Sequence, residues 1–97
     1  MKIGNLSEPE DWIDFKIELT RMYPLFLDTL GLKHTGLSLN EIKVCVLLFL
    51  DCTTKQIAKI LNREPHSIDA VRSRLRKKLH LKEKENLREY LKKLSEF

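Results

Sequence analysis

Ninety-seven residues suffice for one compact domain, and the 42% apolar and 33% charged fractions allow a modest core under a solvated exterior. The net charge of +4 is unevenly placed: residues 1–40 carry four Lys/Arg against six Asp/Glu, residues 41–97 fourteen against eight, so the second half is directed toward an anionic partner. The longest apolar run, Val44–Leu50, falls far short of the ~20 residues that span a bilayer, which excludes a membrane partner from the expectations.

Residues 1–6 have no periodic pattern and are expected to fray. Ser7-Glu8-Pro9-Glu10 reads as an S-x-x-E capping box with a proline early in the first turn, and it starts a helix. That helix sets Trp12, Phe15, Leu19, Met22 and Tyr23 on one face. Asp11, Asp14 and Glu18 share another face, which is read as solvated rather than catalytic because no His or Cys accompanies them. Pro24 stops or kinks the helix. Leu25–Leu30 forms a second short helix with Gly31 as its C-terminal cap, and Leu32–Leu37 is the linker, with Gly36 in a turn. Residues 1–36 are therefore expected to be a helical appendage to residues 37–97.

Ser38-Leu39-Asn40-Glu41 is a further capping box. The helix it starts runs through Ile42, Val44, Val46, Leu47, Leu48 and Leu50, apolar on nearly every side, and belongs at the centre of a core. The string is also compatible with a buried strand, but the cap and the neighbouring helices favour helix. Thr53-Thr54-Lys55-Gln56, a T-x-x-Q box, starts a helix over Thr54–Leu61. Asn62–Glu64 makes a turn, and Pro65, at the first helical position with Glu64 as cap, opens a helix reaching about Leu79. A last helix, Glu85–Leu94, carries Leu87, Tyr90, Leu91 and Leu94 on one stripe. No strand is expected, and the fold class is all-α, a small helical bundle.

The helix after Pro65 divides sharply when stepped at ~100° per residue. Ile68, Val71, Leu75 and Leu79 form the buried sector; His66, Ala70, Ser73 and Lys77 lie opposite, with Asp69, Arg74 and Arg76 on the shoulders. Small and hydrogen-bonding side chains at the helix start permit close approach to base edges, and the basic ones near its end suit phosphates. His66, Asp69, Ala70, Ser73 and Arg74 are thus candidate base contacts, and Arg76, Lys77 and Lys78 candidate phosphate contacts. Arg72 and Lys78 border the buried sector, where Glu41 is the expected partner of Arg72.

Leu37–Glu41 (LSLNE), Lys55–Leu61 (KQIAKIL) and Ser67–Leu79 (SIDAVRSRLRKKL) together resemble the LuxR/GerE-type helix-turn-helix. The likeness is greatest to the output domains of large bacterial regulators fused to sensor or tetratricopeptide modules, and it covers roughly Leu37 to Leu94. It implies a helix-turn-helix preceded here by an additional N-terminal helical segment, with residues 37–97 as a DNA-binding domain. It further implies phosphate contacts from Thr54 and Lys55, base contacts from Asp69, Ala70 and Ser73, and a homodimer contact through Leu87, Tyr90, Leu91 and Leu94; a homodimer is expected through this last helix, the first helix, or both. The chain departs from the family pattern at Glu64, Asp69 and Val71, where Ser, Lys and His are usual. Asp69 either accepts a hydrogen bond from cytosine N4 or braces Arg72 or Ser73.

The expected function is sequence-specific binding of double-stranded DNA by a bacterial transcriptional regulator or its output domain. The alternative is the same fold used as a protein-interaction module, for which Asp69 and the acidic first half speak. An enzyme is not expected: His34, His66 and His80 are scattered, the cysteines form no C-x-x-C pair, and no glycine-rich phosphate loop occurs, so neither cofactor nor metal is foreseen. Cys45 and Cys52 lie about 10 Å apart if both sit on one helix, beyond the ~7 Å limit for a disulfide. Free thiols without a signal peptide point to the cytoplasm. No sensor fits within 97 residues, so regulation falls to a partner protein or an upstream sensor domain.

Overall fold

Ser38 and Thr53 each accept a hydrogen bond from the backbone three residues on, while Glu41 and Gln56 reach back to the caps' own N–H groups. These two reciprocal boxes fix the start of the central helix and of the one after it. The structure, a computed structural model, describes residues 3–96. Six helices follow in order among these residues: α1 Pro9–Met22, α2 Phe26–Lys33, α3 Leu39–Phe49, α4 Thr54–Ile60, α5 Pro65–Lys78 and α6 Leu87–Leu94. No strand occurs among the described residues. No helix among them is long and apolar enough to cross a membrane.

Helix α3 is the axis of the bundle. Val44 through Phe49 are all buried, and α4, α5 and α6 pack around it. Six successive buried residues explain why its sequence is apolar on every side. Helix α4 contributes Ile57 and Ala58 to the core, and α5 contributes Ile68, Val71 and Leu75. Phe26 of α2 stacks on Phe49 at 4.0 Å between ring centroids, and Tyr23 meets the same ring edge-on at 4.9 Å.

Three helices end alike. Asp51, Asn62 and His80 adopt positive φ just past α3, α4 and α5. In each case that residue and its successor donate back into the last turn: Asp51 to Leu48 and Cys52 to Leu47, Asn62 to Lys59 and Arg63 to Ala58, His80 to Lys77 and Leu81 to Arg76. Paired bonds of this kind satisfy the carbonyls that the helix leaves open. The C-terminus of α3 gains a further cap from Arg88, whose guanidinium donates to the carbonyls of Leu48 and Cys52.

Several expectations need correction. Gly31 lies inside α2, which runs on to Lys33 and ends at His34. The N-cap of α1 is Glu8, without a side-chain bond, because the Ser7 hydroxyl turns to Asn5 instead. Met22 is half exposed rather than part of the buried face, whereas Ile13 and Ile17, 52% and 57% exposed, stand outside the core on another side of α1. Helix α6 starts later than expected, capped by Asn86, which accepts from the Glu89 N–H.

The N-terminal segment is tied down. Met1 and Lys2 lie outside the described residues, but Leu6 is buried, its N–H donating to Ile60 and its carbonyl accepting from the Lys43 ammonium at 2.9 Å. Lys43 also sits 5.6 Å over the Trp12 ring, so a nearly buried ammonium finds both an acceptor and an aromatic face. Leu6, Trp12, Phe15 and Leu19 join the same buried cluster as α3 to α6. The appendage and residues 37–97 therefore share one core.

Candidate nucleic-acid interface

Helix α5 buries Ile68, Val71 and Leu75 against α3 and α4, and every constraint on its outer surface follows from that. Residues spaced by three and four from His66 then face outward: His66, Asp69, Ala70, Ser73, Arg74 and Lys77 are all exposed. All five sequence-expected base contacts thus share one solvent-facing stripe. Helix α5 spans 14 residues, a rise of about 21 Å at ~1.5 Å each.

The start of α4 is bound to this helix by one bond. The Arg72 guanidinium donates to the Thr54 hydroxyl at 3.1 Å, joining the two helices across the turn at Leu61–Glu64. Arg72 was expected to pair with Glu41. The carboxylate instead receives Lys78 at 2.8 Å, with Arg74 at 3.9 Å, because those two side chains emerge on the side of α5 that faces the start of α3. Glu41 is 3% exposed. Burial pushes its carboxyl up, but the bonds from Lys78 and Ser38 outweigh it and hold the carboxyl below its ordinary range. Asp69 makes no hydrogen bond or ion pair among the described residues, so neither bracing role expected for it is realised.

The five expected phosphate contacts separate into two groups. Lys55 and Lys77 are exposed and have no partner among the described residues. The other three are engaged within the chain. Thr54 holds Arg72. Arg76 donates to the carbonyls of Lys82, Glu83 and Glu85, at 2.8, 3.2 and 2.6 Å, and so ties down the loop between α5 and α6. Lys78 is held by Glu41 and by the Gly36 carbonyl. Arg76 and Lys78 are therefore structural cations in this arrangement, and the positive charge left to this face is Lys55 and Lys77, with Arg74 exposed at the edge of the Glu41 pair, 3.9 Å from the carboxylate. Nothing in the basic run itself separates these roles, since each depends on loop carbonyls or on Glu41 arriving from elsewhere in the chain.

The expected dimer stripe also changes character. Leu87, Leu91 and Leu94 are buried within their own chain, at 3%, 0% and 1% exposure, because α6 packs on α2 and α3. Tyr90 is half-buried, its hydroxyl paired with the His34 imidazole. These leucines have no free surface left to offer a second chain. The resemblance implies a second chain over these leucines, but α2 and α3 already cover them.

The thiols take no part in the interface. Cys45 and Cys52 are free and buried, and burial, reinforced by Glu41, pushes the Cys45 thiol up to about 12. Comparison with protein families, with characterised proteins and with solved structures returned no match to this chain.

Proposed function

We propose that this chain is a sequence-specific double-stranded DNA-binding transcriptional regulator, or the output domain of one, with α5 entering the major groove. The observation that carries the reading is the outward stripe of α5. It begins with short or hydrogen-bonding side chains at His66, Asp69, Ala70 and Ser73 and ends in Arg74 and Lys77. Small groups admit the helix to base edges, and the cations meet the flanking phosphates. Lys55 at the start of α4 supplies a second phosphate contact, beside Thr54 and the guanidinium it holds. The LuxR/GerE-type resemblance belongs to the same proposal, because its recognition positions coincide with this stripe.

Selection of bound sequences from a random duplex library, followed by titration of the best site at several salt concentrations, tests the reading. With Lys55 and Lys77 unpartnered and Arg74 held only at 3.9 Å by Glu41, about three phosphates are neutralised per chain, giving a log–log salt slope near −3. A folded sample that binds no duplex at low salt would overturn it in favour of a protein-interaction module.

A further inference from the structure

The molecule has an apolar groove of about 520 Å³ between α1, α2 and the start of α3. Its floor and walls include Trp12, Leu27, Leu30, Leu37 and Ile42, with no side chain at Gly31 to fill it. Ile17 stands on the α1 rim and Ile13 lies one turn away, both about half exposed. We infer that this groove is closed by a second copy of the same chain, the α1 rim of each copy seated over the α2 rim of the other.

Three observations favour a second copy over other occupants. A small apolar ligand filling the groove leaves Ile13 wet, whereas a facing protein surface covers the groove and the exposed isoleucines together. The rims are also oppositely charged. Lys16 lies on the α1 side and Asp28 on the α2 side, both exposed and without an ion pair among the described residues. A two-fold axis along the groove exchanges the rims, so each Lys16 faces the other copy's Asp28, and the interface is self-complementary. Lastly, knob and hole sit side by side on one surface: Ile17 beside the open space over Gly31. An isologous contact requires one patch complementary to itself, and this arrangement supplies it. The inference holds whether or not α5 binds DNA.

Sedimentation equilibrium of the full chain, from micromolar to sub-millimolar concentration, tests it. Wild type is expected to dimerise, and Ile17→Glu to remain monomeric; since Ile17 is 57% exposed, the two thermal midpoints should agree at concentrations low enough for wild type to be monomeric as well. Lys16→Glu and Asp28→Lys each set like charges against each other twice per dimer. Each is expected to weaken self-association by about tenfold or more. An equimolar mixture of those two variants regains opposite charges at both contacts and recovers wild-type association. A folded wild type that stays monomeric throughout the range assigns the groove to some other occupant and overturns the inference. So does a dimer indifferent to Ile17→Glu, or a mixture that fails to recover.

Discussion

His80, Asn62 and Asp51 hold φ values of 57°, 55° and 66°, a region in which a Cβ crowds the following carbonyl. Asn and Asp tolerate it best because their short polar side chains bond locally, and the imidazole of His80 makes no hydrogen bond among the described residues. His80→Gly is therefore expected to stabilise the chain by about 0.5–1 kcal/mol after allowing for the freedom glycine gains on unfolding. For a chain of this size that is a rise of a few degrees, roughly 2–8 °C, in thermal midpoint. Asn62→Gly should give a smaller rise. Thermal denaturation of the two variants beside wild type checks the ranking, and a lowered midpoint for His80→Gly contradicts it.

Among the elements, α5 carries the sharpest contrast: neighbouring cations with different duties. Lys77→Ala is expected to weaken binding to all duplexes alike and to flatten the salt slope by about one unit. Arg76→Ala removes three bonds to the carbonyls of the loop after α5. It should lower the thermal midpoint and leave the slope nearly unchanged. Equal slopes for Lys77→Ala and wild type would place the phosphate contacts elsewhere. The order of the helices was legible in the sequence because their start signals are local. Ser38–Glu41, Thr53–Gln56 and Pro65 each act within a single turn, and the 3.6-residue period picks out Ile68, Val71 and Leu75. What α6 covers was not legible, because its leucines look the same whether they meet α2 or another molecule. The duties of Arg76 and Lys78 were hidden for the same reason, as their acceptors lie on other segments. The Asn86–Glu89 cap, by contrast, was present as an N-x-x-E pattern and had a readable local signal.

Over the whole molecule, acid should act in two stages. Burial, with the charges of His80 and Lys33, lowers the pKa of His34 in the fold. Its protonation therefore favours the unfolded chain, and its contribution is fully present above the ordinary value of 6.5 and lost as pH falls through the lower folded value. Glu41 is held below its ordinary value of 4.5, so its contribution persists further and is lost only as pH falls through that lower value. Thermal midpoints measured from neutral pH downward should decline first with His34 and then again with Glu41. His34→Gln is expected to remove the first decline and spare the second; an unchanged first decline would exclude His34 as its source.

The fastening of Leu6 has a consequence for how the chain is made. Its N–H is bonded to the Ile60 carbonyl and its carbonyl to the Lys43 ammonium, 37 residues further along. During synthesis at ~5–20 residues per second, the segment before α1 waits about 3–10 s after its own emergence for α4 to appear. Through that interval Trp12 and Phe15 belong to a nascent helix without its final support. Completion of α4, rather than of α1, is thus the event that closes the N-terminal end of the core, and a ribosome stalled before residue 60 should display α1 still open to proteolysis.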